Sequence, residues 1–169
     1  MFVLGHLGIG KRLASRAYRG FSRAARRAFF AGALLPDLID KPLYYGWSWL
    51  TGKHGADAGL ISGTHLFGHT GLFLLVIAAT ALATRSQAMR ALAIGVVTHL
   101  ALDFVGLSMD LRTLLWPALG WQFPSYPFAS VTEHLGTMFR PVTFAGEALG
   151  AAILWWDYRA ARSASLPAD

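Results

Sequence analysis

Six histidines and nine carboxylates are available for chemistry in a 169-residue chain that has no cysteine. Disulfides, thiolate metal sites and a cysteine nucleophile are therefore excluded, and any metal centre must use imidazole and carboxylate. The chemically capable residues form four groups. Pro36-Asp37-Leu38-Ile39-Asp40-Lys41-Pro42 carries two carboxylates three residues apart, on one face of a helical turn. His65-Leu66-Phe67-Gly68-His69 carries two imidazoles at i and i+4, and His99-Leu100-Ala101-Leu102-Asp103 pairs imidazole with carboxylate at the same spacing. His6 stands alone in the apolar segment that precedes Lys11.

Each group also has an ordinary structural explanation. A lone histidine such as His6 is most often a satisfied core residue, and Asp37 and Asp40 can cap a helix end beside prolines. His65 and His69 can hydrogen-bond neighbouring helices in an apolar bundle. Asp103 is harder to accommodate, because an ionised carboxylate in an apolar helix costs several kcal/mol and no Lys or Arg lies within a turn of it. Three separate segments thus offer acid or imidazole facing one way. A divalent cation would neutralise the carboxylates and engage the imidazoles together, and mixed N/O ligation suits Zn²⁺ first, with Mn²⁺ or Fe²⁺ as alternatives. A proton relay through the same groups is the competing chemistry.

The elements that must position these groups are apolar. The chain is 54% hydrophobic and 14% charged, against about 25% charged residues in an ordinary soluble domain. Lipid is the expected solvent for part of it. The composition and length predict one domain over residues 1–169, an all-α, membrane-embedded helical bundle. About four spanning or partly inserted helices are expected near 28–50, 60–84, 90–109 and 141–158, with a basic N-terminal helix before them. Residues 113–132 lack charge but contain Pro117, Pro124 and Pro127, which predicts an interfacial or re-entrant segment. Its aromatics Trp116, Trp121, Phe123, Tyr126 and Phe128 suit an interfacial belt or, less simply, a substrate groove.

Charge sets the expected orientation. Lys11, Arg12, Arg16, Arg19, Arg23, Arg26 and Arg27 supply seven of the fifteen basic residues. In so apolar a chain they are expected to face anionic lipid and not nucleic acid. The basic residues follow the short apolar start instead of preceding it, so a cleaved signal peptide is not expected. Placing this cluster in the cytoplasm puts Arg85, Arg90, Arg159 and Arg162 there too, and leaves Lys53, Arg112 and Arg140 outside. The expectation is a multi-pass protein of the cell inner (cytoplasmic) membrane with both termini cytoplasmic.

These motifs resemble those of the YdjM-type family of membrane-bound metal-dependent hydrolases. The resemblance rests on Gly5-His6, Leu34-Leu35-Pro36-Asp37-Leu38-Ile39-Asp40-Lys41-Pro42, Gly68-His69-Thr70, Thr98-His99-Leu100-Ala101-Leu102-Asp103 and Leu114-Leu115-Trp116-Pro117. It covers roughly residues 1–120. It implies metal ligation by His6, Asp37, Asp40, His69, His99 and Asp103, or most of these. Where many such proteins carry a His-Arg-Gly-x-Thr-His pattern, this chain has Gly63-Thr64-His65-Leu66-Phe67-Gly68-His69-Thr70. The arginine is missing, and His65 is an added ligand, an outer partner of one, or neither.

The chemistry so implied is metal-activated hydrolysis of an ester or phosphoester, carried by a lipid-like substrate, with Asp40 or Asp37 as general base and one or two ions. A non-catalytic membrane protein with a structural metal or a His/Asp proton relay is the alternative. A lipid-binding scaffold that relies on Trp116–Phe128 is a third.

Overall fold

A computed structural model of the chain describes residues 3–106, 108–125 and 130–163, and among these residues all regular structure is helical. The helices are α1 (Val3–Leu13), α2 (Ser15–Arg19), α3 (Arg23–Thr51), α4 (Gly71–Thr84), α5 (Gln87–Val105), α6 (Leu111–Leu114), α7 (Val131–Gly136) and α8 (Pro141–Ser163). The Ser22 side chain caps α3 by accepting from the Ala25 N–H, and the helix ends at Gly52, whose φ of 67° is left-handed. Thr70 and Ser86 cap α4 and α5 in the same way, accepting from the Phe73 and Met89 N–H groups.

Helices α3 and α5 form the centre of the bundle and touch backbone to backbone. A Cβ on Gly95 would stand 2.2 Å from the Phe29 carbonyl oxygen, and one on Gly32 would stand 2.1 Å from that of Leu92. Only hydrogen fits at either position, which brings Asp37 of one helix close to His99 of the other. Helix α4 packs on α5 through Ile77, Val96 and Leu100, with Met109 beyond the end of α5 completing the cluster. Helix α1 is folded into the bundle and held there by α8. The Glu147 carboxylate accepts from the Leu4 and Gly5 N–H groups, both at 2.9 Å, and so caps the start of α1 from another helix. At the far end of α1, Lys11 Nζ and Arg12 Nη2 donate to Asp157 at 2.6 and 2.9 Å.

The expected helix over 60–84 is shorter than predicted: α4 begins at Gly71, and residues 59–70 are turns with one 3-10 turn over Phe67–His69. Gly59, Gly63 and Gly68, with Ser62, Thr64 and Thr70, are weak helix formers. The N–H groups of Leu66, Gly68 and His69 also bond to the Asp40 side chain, which competes with a helical ladder. His65 and His69 therefore do not share a helix face.

Of the four predicted spans, α5 alone among the described residues has the length and apolar composition to cross a membrane. Helix α4 is apolar on every side, but its 14 residues extend only about 21 Å at 1.5 Å per residue, short of a hydrocarbon core of roughly 30 Å. Helix α3 carries Asp37, Asp40 and Lys41, and α8 carries Glu147, Asp157 and Arg159, so neither is continuously apolar.

Candidate metal centre

Four side chains from three places in the chain meet between α3 and α5. Asp37 comes from α3, His69 from the turn before α4, and His99 and Asp103 from successive turns of α5. One donor atom from each lies within 4.8 Å of every other. Nε2 of His69 and Nε2 of His99 are 3.2 Å apart. Oδ2 of Asp103 is 3.4 Å from the first and 3.2 Å from the second. Oδ1 of Asp37 is 3.6 and 4.0 Å from the same two nitrogens. Ligands bound to one ion at about 2.0–2.1 Å in tetrahedral array stand about 3.4 Å from each other. The spacing of these atoms is that of a ligand shell around a common centre.

The other polar atom of each ligand is engaged elsewhere, which fixes which atom faces the centre. His99 Nδ1 donates to the Ala33 carbonyl at 2.8 Å; a carbonyl only accepts, so the proton is on Nδ1 and Nε2 is turned inward. His69 Nδ1 bonds Asp40 Oδ2 at 2.7 Å, with the same consequence. Asp37 gives Oδ2 to Lys41 Nζ, one turn along α3, at 2.5 Å. Asp103 Oδ1 accepts from Ser108 Oγ at 3.1 Å. Outer partners of this kind are what orient metal ligands.

The residues singled out in the sequence occupy distinct places. Asp40 is fully buried and faces away from the centre: its oxygens take His69 Nδ1 and the Leu66, Gly68 and His69 N–H groups. It clamps the turn that carries His69. His6 is brought in from α1, fully buried, with its ring stacked on that of His99 at 3.9 Å and 17°. Its Nε2 is 3.3 Å from Asp103 Oδ1. His65 Nε2 is 3.6 Å from Asp103 Oδ2, and its ring lies edge-on to His69 at 4.4 Å. All seven predicted residues thus gather in one region, with Asp103 touched by all four imidazoles.

Sequence reasoning missed the outer partners. Lys41 was visible at i+4 from Asp37, but Ser108, the Ala33 carbonyl and Glu147 carried no motif. Burial alone would lower the His69 pKa, but its bonds to Asp103 and Asp40 outweigh burial and push it up to about 9. Burial and the neighbouring His69 lower the pKa of His65.

Beside the centre, Phe67 stands edge-on to Trp116 and Phe123 at 5.5 and 5.2 Å, and Trp116 also meets Trp121. Phe123 is buried and Trp121 is exposed. The expected aromatic belt is therefore in part a packed cluster against the turn that holds His69. Tyr126 and Phe128 lie outside the described residues. No family model matches the chain, and neither does any curated protein or solved structure.

Proposed function

We propose that this protein is a membrane-associated metal-dependent hydrolase of the YdjM type, acting on an ester or phosphoester of a lipid-like molecule. The observation that carries the metal part is the shell of Asp37, His69, His99 and Asp103, each with its second polar atom already engaged. Two imidazoles and two carboxylates suit Zn²⁺ first, and Mn²⁺ or Fe²⁺ next. An ion held there would make bound water a nucleophile near neutral pH and place positive charge beside a developing oxyanion.

The chain's own residues have separable tasks. Asp37 gives Oδ1 to the centre as a ligand, while Lys41 on Oδ2 balances its charge. Asp40 positions His69 and its turn, because both of its oxygens are committed to them. The Phe67–Trp116–Phe123 cluster supplies an apolar wall beside the site for an amphiphilic substrate.

Membrane association is supported by exposed apolar side chains that water would not favour as a set. Leu75, Val76 and Leu82 on α4 and Phe144, Trp155 and Trp156 on α8 are all more than half exposed. The basic residues support a common orientation. Gln87 bonds Gly20 O and Ser22 N–H, which sets the start of α5, with Arg85 before it and Arg90 in its first turns, against the α2–α3 turn flanked by Arg19 and Arg23. That end would face the anionic cytoplasmic leaflet of the inner membrane, and multi-pass insertion with cytoplasmic termini is proposed on the same ground.

A second reading has its own support. Four protein donors are enough to close a tetrahedral site, and a closed site is structural. Metal content of the detergent-purified protein, beside His99→Ala and Asp103→Ala, is the first test, followed by hydrolysis of a fluorogenic phospholipid and a soluble phosphodiester. Equal metal content in all three proteins would overturn the site; metal without turnover of either substrate class would favour the structural reading.

A further inference from the structure

Residues of α1, α2, α3 and α8 surround a cavity of about 480 Å³, a size within the roughly 300–1,000 Å³ of small-molecule sites. Lys11, Arg12, Arg19 and Arg26 line it against a single carboxylate, Asp157, which leaves an excess of positive charge in one hollow. Asp157 accepts from Lys11 Nζ and Arg12 Nη2 at 2.6 and 2.9 Å and serves those two as a built-in anion. Arg19 and Arg26 have no carboxylate partner among the described residues, and Arg26 gives its Nε to the neutral Phe21 carbonyl at 3.1 Å. One wall is Tyr18, with Lys11 Nζ and the Arg26 guanidinium each 5.3 Å from the centre of its ring. That ring stands edge-on to Phe29 and Phe30 at 5.4 and 5.8 Å, so the wall is anchored in the core. Arg16 and Arg27, from the same basic segment, are exposed and lie outside the lining.

We infer that this cavity binds one phosphate group carried on a small polar body, the chemistry of an anionic phospholipid headgroup or a soluble phosphoester. Like charges gathered around a hollow repel one another, and a bound anion relieves that repulsion. Guanidinium forks match phosphate oxygens in pairs, and the Lys11 ammonium adds a point charge. Ser15 adds a hydroxyl, while Tyr18 and Ala160 give an esterified glycerol an apolar surface to lie against. The inference rests on the membrane orientation proposed above only for the source of the phosphate, which that orientation puts at headgroup depth. It uses none of the metal ligands, so either reading can fail without the other.

The test uses the full chain in neutral detergent. Native mass spectrometry counts bound phosphatidylglycerol, with phosphatidylcholine as the lipid without net charge, and calorimetry follows glycerol phosphate. An Arg19→Gln/Arg26→Gln variant is compared with Arg16→Gln/Arg27→Gln, which loses the same charge outside the cavity. Metal content and melting are measured for both. The expected result is one retained phosphatidylglycerol per chain in wild type and in the Arg16/Arg27 variant. Binding should weaken at least about tenfold when Arg19 and Arg26 are replaced, with metal content unchanged. Displacement of the lipid by glycerol phosphate assigns the site to phosphate from either source. A lipid that glycerol phosphate does not displace assigns it to the membrane, and glycerol phosphate bound without lipid assigns it to a soluble phosphoester. Equal losses in the two variants, equal retention of phosphatidylcholine, or no saturable binding would overturn the site. Should the Arg19/Arg26 variant fail to fold, Arg19→Gln beside Arg16→Gln carries the same comparison.

Discussion

The Nε2 atoms of His69 and His99 face each other at 3.2 Å, and neither ring is free to turn away. His69 is pinned by Asp40 and His99 by the Ala33 carbonyl, so the two imidazoles are aimed before any ligand arrives. Such preorganisation makes the outer partners, as well as the ligands, sensitive to substitution.

Asp40→Ala leaves three backbone N–H groups and His69 Nδ1 without their acceptor. An unsatisfied buried donor costs about 1–3 kcal/mol, and the loss here should reach about 3–5 kcal/mol. Asp40→Asn should retain part of that stability but weaken metal binding by about 10–100-fold, the usual effect of losing an orienting partner. Thermal melts and competition with a chromogenic chelator measure the two effects separately.

Metal binding should strengthen as pH rises towards 9. His69 holds its proton up to about pH 9, and a metal ligand must give it up. The metal-free protein has the opposite slope. A raised histidine pKa contributes stability that is full below the unfolded value of about 6.5 and is lost as pH rises through the folded value. Melting temperature with excess chelator should therefore fall from pH 6.5 to 9, and that fall should shrink or reverse with saturating Zn²⁺. Parallel curves with and without metal would count against His69 as a ligand.

Gly95→Ala should damage both fold and site. Its Cβ would meet the Phe29 carbonyl at 2.2 Å, so α3 and α5 must separate. Overpacking of this kind costs about 1–3 kcal/mol, and separation also pulls Asp37 from His99. Gly136→Ala is the control, because a Cβ there meets nothing within 4 Å. Denaturant melts and metal titrations of the two variants should diverge.

Glu147→Ala should cost about 0.5–2 kcal/mol, as expected for loss of a helix cap. It should also loosen the His6 end of α1, which the exchange rates of the Leu4 and Gly5 amides would register. Unchanged exchange would mean that α1 is held by its packing and its ion pairs with Asp157, without help from Glu147.

Leu75→Lys distinguishes lipid from water outside α4. Leu75 is 66% exposed. A charge at an exposed position in water changes stability by less than about 0.5 kcal/mol, whereas one deep in a bilayer costs about 2.5–3.5 kcal/mol. Membrane fractionation and detergent melts of the variant should show the larger effect.

Much of the site was legible in the sequence because its ligands come in short local pairs. Asp37–Asp40 and His99–Asp103 announce themselves by helical spacing. His65–His69 announced two residues that the structure does bring beside Asp103, but on the wrong element, since an uninterrupted apolar run suggests a helix. The capture of that run by a carboxylate 26 residues earlier leaves no local trace. The same holds for Glu147, a charge in an apolar helix whose partner is the backbone of α1. His6 was legible only through the resemblance, because one histidine has no spacing to read. The start of α4 was misplaced for a related reason: hydropathy counts charge-free residues and does not see that Gly59 to Thr70 folds into turns.

The clasp between α1 and α8 has a consequence for the order in which the molecule is completed. The residues that hold α1, Glu147 and Asp157, are synthesised more than a hundred positions after His6. Helices α3, α4 and α5 can associate on the ribosome while α1 still lacks its anchor. His6 is thus secured after the four donors of the centre are already together, and its stacking on His99 depends on a helix made well after them.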